Sequence, residues 1–128
     1  MDPQVKNWLD SARYDLGTAE HMYETGRYIY TVFCCHLALE KALKARVQYV
    51  SGELPPRTHS LRHLVELSGL ELPDDVLEFV SMLSDVSVRT RYPDDFARLM
   101  ETYDRPVATR YLRQTREAFE WISASLTS

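Results

Sequence analysis

The densest group of side chains able to do chemistry is the run Arg89-Thr90-Arg91-Tyr92-Pro93-Asp94. Two arginines around a bend supply planar donor forks, and the tyrosine beside them supplies a ring and a hydroxyl. Such a set suits a phosphate or a nucleobase. A competing reading is a helix that ends in arginines because cations favour the negative end of its dipole. That accounts for Arg89 and Arg91 but not for Tyr92. A second group is Glu40, Lys41 and Lys44. Glu40 and Lys44 stand four residues apart in the order favoured for a helical ion pair, which reads as a solvated pair of small energetic weight. Lys41 and Lys44, one turn apart, are alternatively an anion-binding pair.

Four histidines complete the inventory. His21 falls on an outward face, and His36 sits inside an apolar run as a hydrogen-bonded core residue. His59 and His63 flank the start of a short helix. His59 either anchors a loop through its ring nitrogens or stands as a site residue at the mouth of a bundle. Other chemistries are excluded by spacing. No glutamate is followed three residues later by a histidine, and neither His-Glu-x-x-His nor Cys-x-x-Cys occurs, so the usual di-metal and zinc patterns are missing. Gly17, Gly26, Gly52 and Gly69 are scattered, whereas a phosphate loop needs clustered glycines.

These side chains must be carried by helices. Asp2 followed by Pro3 predicts a cap and a first helical residue. Val5, Trp8, Leu9, Ala12, Leu16, Ala19 and Tyr23 then recur at three- and four-residue spacing, up to a stop near Gly26. From Tyr28 to about Ser51 the chain is apolar most of the way round in its first half, which predicts the central, most buried helix. Its polar half begins at Glu40, and Gly52, Pro55 and Pro56 end it. Leu61, Leu64 and Val65 predict a short helix stopping at Gly69. Pro73-Asp74-Asp75 opens a fourth, its acids suited to the positive dipole end. Pro93 disfavours helix at Tyr92, and Pro93-Asp94-Asp95 begins a polar loop. Asp104-Arg105-Pro106 launches the last helix, with Ala108, Tyr111, Leu112, Thr115, Phe119, Ile122 and Leu126 on one face. Strand-like alternation is absent. The fold class is therefore all-α: one domain, residues 1–128, of four main helices plus a short one.

Composition agrees. A chain of 128 residues, 45% hydrophobic and 27% charged, fits one domain with a core of its own. Its net charge of −4 argues against broad nucleic-acid binding but leaves room for a local basic site. Seven of the twelve arginines lie from Arg89 onward, so an anion patch belongs there. Cys34 and Cys35 are adjacent within an apolar run, where they read as small core hydrophobes of a reducing compartment. The start, Met1 to Lys6, carries no apolar signal segment, and no run of about 18 apolar residues exists to cross a membrane. The expectation is a cytoplasmic protein.

Ala38-Leu39-Glu40-Lys41-Ala42-Leu43-Lys44-Ala45 resembles the Ala-x-Glu-Lys-Ala-x-Lys-Ala signature of HEPN-domain proteins. Thr58-His59-Ser60-Leu61 and Arg91-Tyr92-Pro93-Asp94 follow in the family's order, after an early Trp8, Ala12 and Leu16. The resemblance covers nearly the whole chain. It implies an up-and-down helical bundle, often a homodimer, for which Tyr28, Tyr30 and Phe33 are available apolar groups. It also implies a minimal nucleotidyltransferase as partner, in some pairs as toxin and antitoxin. Adenylate is added in some pairs to a HEPN tyrosine that follows the catalytic histidine. The nucleotide- or phosphate-binding candidates are then Lys41, Lys44, His59, Arg89, Arg91 and Tyr92, with ATP or another nucleotide as ligand. No metal or further cofactor is implied.

Other HEPN branches are metal-independent ribonucleases that use an arginine, four to six residues, then a histidine, and RNA is their partner. No histidine follows Arg89 or Arg91 in this chain; the one match in spacing is Arg57 to His63. Three function classes follow: a nucleotide-binding or accessory subunit of a nucleotidyltransferase pair, a ribonuclease toxin, and an interaction bundle without a small-molecule site. Because the late histidine is missing, the purified protein is expected to cleave RNA little or not at all without metal. Robust cleavage abolished by His63→Ala would promote Arg57 and His63 to catalytic roles.

Overall fold

The computed structural model describes residues 1–91 and 95–126, excluding the side chains of residues 87–91. Six helices follow one another: α1 (Pro3–Glu24), α2 (Tyr28–Ser51), α3 (Leu61–Ser68), α4 (Asp74–Arg91), α5 (Phe96–Thr102) and α6 (Arg105–Ala124). Among the described residues there is no strand. The four long helices form the bundle, and α3 and α5 are short.

Local chemistry sets the helix ends. Asp2 accepts the Gln4 N–H at 2.7 Å with Pro3 in the first turn, and Asp104 accepts the Val107 N–H at 3.1 Å ahead of Pro106. Each satisfies an amide that a helix start leaves without a partner. Gly52 closes α2 at φ 73°, a left-handed conformation that costs a residue with a Cβ about 1–2 kcal/mol. The short α5 lies where the sequence predicted only a polar loop. Asp95 caps it by accepting the Arg98 N–H at 3.1 Å, while Phe96, Leu99, Met100 and Tyr103 follow one face of the turn. Seven residues give too little periodicity to stand out from a loop.

The bundle is organised around α2, which packs against all five other helices. Leu39, Leu43, Ala38, Ala42 and Ala45 are fully buried, as the apolar surface of this helix demands. The small alanines let α1 approach closely, and α1 runs antiparallel to α2. Against them pack Val5, Leu9 and Ala12 of α1, Val80 and Leu83 of α4, and Leu112 and Ile122 of α6. Cys34 and Cys35 are free and buried, and burial pushes the Cys35 thiol up to about 12, so both pack as hydrophobes. Tyr30 is 57% exposed, while Tyr28 and Phe33 are half-buried.

Two polar ties close the outer helices. Arg116 meets Glu20 at 2.7 Å, joining α6 to α1. Arg46 donates from Nε to the Ser68 carbonyl at 3.2 Å and from Nη1 to the Ser125 carbonyl at 3.0 Å. One guanidinium thus serves the ends of α3 and α6. Replacing Leu43, fully buried in α2, with Ala should lower the unfolding free energy by about 2–5 kcal/mol. Leu54, 72% exposed, should tolerate the same change within about 0.5 kcal/mol. Urea titrations of both variants check the order.

Candidate functional site

The polar residues of α2 do not form an outward face. Glu40 and Lys44 are only 4% and 7% exposed, so their pair is buried, correcting the solvated pair expected from spacing. The i,i+4 spacing is the same on either face; what differs is that α1 and the segment before α3 cover this turn. Lys44 Nζ stands 3.3 Å from Glu40 Oε2 and 5.6 Å from the centre of the Trp8 ring. Desolvating an ammonium beside a carboxylate and an aromatic face strengthens both attractions.

Glu40 is the hub. Its Oε1 lies 2.9 Å from His59 Nδ1 and 3.8 Å from Nδ1 of the fully buried His36. A carboxylate with several partners can stay charged where an unpaired one could not. An ionised Glu40 only accepts, so His59 must donate from Nδ1. That fixes its tautomer when neutral and leaves Nε2 as an acceptor. The His59 side chain remains 62% exposed, so one end of the ring is anchored and the other is available. An imidazole oriented by a carboxylate can act as a base or, once protonated, meet an anion.

Neighbouring polar groups continue the seam between α1 and α2. Trp8 Nε1 donates to Gln48 Oε1 at 3.0 Å, and Gln48 in turn donates to Gln4. Lys41 pairs with Asp15 at 2.8 Å. Both lysines of the signature therefore already face carboxylates. Sequence reasoning missed Asp15, although its place between Ala12 and Ala19 on the inward stripe of α1 was the available signal.

The remaining candidates fall apart in space or outside the described residues. Arg57 and His63 are both exposed; the His63 N–H donates to Ser60 Oγ at 3.2 Å as part of the α3 cap, and no hydrogen bond or ion pair joins the two among the described residues. Arg62, between them, is engaged by Asp85 at 2.6 Å. Arg89 and Arg91 belong to the last turns of α4, but their side chains, and Tyr92 altogether, lie outside the described residues. Within the described part, then, Lys44 and His59 meet at Glu40, while Lys41 pairs separately with Asp15. No cluster of potential metal ligands occurs among the described residues.

The family model described as HEPN domain matches residues 5–125. The chain belongs to the HEPN family. Two solved structures carry the same fold. An archaeal HEPN homologue, ST0689, is 26% identical with a TM-score of 0.78, over 96% of this chain and 98% of that one. TT1696 from Thermus thermophilus is 27% identical with a TM-score of 0.80, again over 96% and 98%. No curated protein matches the chain. The HEPN signature in α2 thus coincides with the ionic hub, which explains why it alternates alanines with charges: the alanines admit α1, and the charges meet partners inside the bundle. Among the described residues, no helix is long and apolar enough to cross a membrane.

Removing one member of the hub should expose its coupling. Glu40→Ala strands Lys44 in a buried position and should cost about 3–5 kcal/mol, whereas Glu40→Met combined with Lys44→Met should recover most of that. If the double variant is no more stable than the weaker single one in denaturant titrations, the pair is not coupled as described.

Proposed function

We propose that this HEPN protein is the nucleotide-binding or accessory subunit of a two-component system whose other member is a minimal nucleotidyltransferase, with a toxin role in that pair. The supporting observation is the division of labour within the α2 signature. Lys41 and Lys44 are drawn to Asp15 and Glu40, so they position rather than bind. His59, outside the signature but held by its Glu40 at 2.9 Å, is the candidate left able to meet a phosphate.

On this reading Arg89, Arg91 and Tyr92 provide the second contact: guanidinium forks for phosphate and a ring for a base. ATP or another nucleotide is the ligand, and the protein works as a homodimer in the cytoplasm. The ribonuclease alternative gains nothing from Arg57 and His63, which do not meet each other among the described residues.

Co-expression with a minimal nucleotidyltransferase tests this directly. The parent should co-purify with that partner, bind ATP and sediment as a dimer. His59→Ala, Arg91→Ala and Tyr92→Phe should weaken partner or ATP binding several-fold without lowering the melting temperature much. If all three variants bind both as the parent does, the site assignment fails. If the parent itself ignores the nucleotidyltransferase, the partnership is wrong.

A further inference from the structure

At the start of α2, well away from Glu40, the surface opens into a groove of about 110 Å³ lined by residues 26–30 together with Phe96, Met100 and Tyr103. Tyr103 is buried and forms its floor, while Tyr30, Phe96 and Met100 are 57%, 56% and 57% exposed at its rim. Three large apolar side chains exposed around one depression form the kind of patch that marks binding surfaces. The volume decides the size of the group it takes. Drug-sized ligands fill about 300–1,000 Å³, and a closed dry cavity of about 150 Å³ holds a benzene, so this open groove takes part of one flat ring and leaves the rest of a ligand outside.

Beside the groove stands a corner that favours negative charge. Tyr28, which lines the groove, packs against Tyr23 with ring centres 6.0 Å apart. The Tyr23 hydroxyl meets Thr109 Oγ1 at 2.7 Å, and the Arg105 guanidinium lies 5.6 Å from the Tyr23 ring centre. Hydrogen bonding to Thr109 and then Arg105 holds the Tyr23 phenol below its usual range. Arg105 is held protonated in turn by Tyr23 and, more weakly, Tyr28. The nearby acids are turned to other tasks. Asp95 and Asp104 cap α5 and α6, and Glu24 stands 4.0 Å from His21.

We propose that this groove binds a flat aromatic ring bearing an anionic group, the ring entering among Tyr28, Tyr30 and Phe96 and the anion meeting Arg27 and Arg105. The coincidence of a small apolar depression with a corner built for negative charge is what singles out this ligand class. The proposal is independent of the nucleotidyltransferase partnership, since it needs no second protein, and it gives Tyr28 and Tyr30 to the ligand, so a homodimer would form through other surfaces.

Amide NMR titration of the full chain tests it with four probes: AMP, benzoate, adenosine and inorganic phosphate. AMP or benzoate should shift the signals of residues 26–30, Phe96, Met100 and Tyr103, and adenosine and phosphate should bind at least about tenfold more weakly, because each supplies only one of the two contacts. Preference for AMP assigns a phosphate ligand, and preference for benzoate assigns a carboxylate. Arg105→Gln should weaken binding about tenfold through the lost charge-assisted contact. Met100→Trp, which fills an exposed groove, should block binding while leaving the melting temperature unchanged. Silence of these signals toward both AMP and benzoate at millimolar concentration overturns the proposal. So does their movement with protein concentration alone, lost in Met100→Trp, because a second copy would then occupy the groove.

Discussion

A carboxylate buried in the middle of the most enclosed helix imposes a condition on everything around it. Glu40 is 4% exposed, and a lone ion there would cost several kcal/mol in lost hydration. Its neighbours must therefore bring hydrogen and charge to it from different directions. Lys44 comes from the next turn of α2 and His59 from the segment before α3. Satisfying the carboxylate thus fixes where that segment crosses the bundle and which way the His59 ring is turned. Trp8 on α1 covers Lys44, so the register of α1 along α2 follows from the same condition.

Much of the fold was legible because helix ends carry strong chemical marks. Asp2-Pro3, Gly26, Gly52, Gly69 and Asp104-Pro106 delimit helices where the structure has them. The apolar circumference of α2 predicted its central place, since only burial on several sides accommodates such a surface. Short α5 escaped notice because a seven-residue segment completes barely two turns, and its cap Asp95 lies within a run that reads as a loop. The site was less legible than the fold. Charges four apart look alike whether water or another helix covers them, so the depth of Glu40 and Lys44 could not be read from spacing. His59 was legible as a candidate, but its tether was not, because the partner is distant in sequence. Asp15, an acid on an apolar stripe, carried a signal that pattern reading treated as noise.

The family signature looks different once its partners are known. A motif of alanines, glutamate and lysines suggests a charged strip that greets ligands. In the structure the charges are mostly consumed by contacts inside the bundle, and their product is a single oriented imidazole at the surface. A motif can therefore mark the support of a site more strongly than the site itself.

Arg46 illustrates a further constraint. Its planar fork reaches the carbonyls of Ser68 and Ser125 at once, tying together two chain segments that are far apart in sequence. A lysine at this place has a compact ammonium on a shorter side chain and no fixed fork, so it could not reproduce that two-way geometry. Arginine-to-lysine exchange at position 46 is therefore not a conservative change in this fold. It would untie the end of the last helix from α3, and a chain that ended α6 earlier would remove the reason for keeping the arginine. The tail of the domain and residue 46 should consequently change together across relatives.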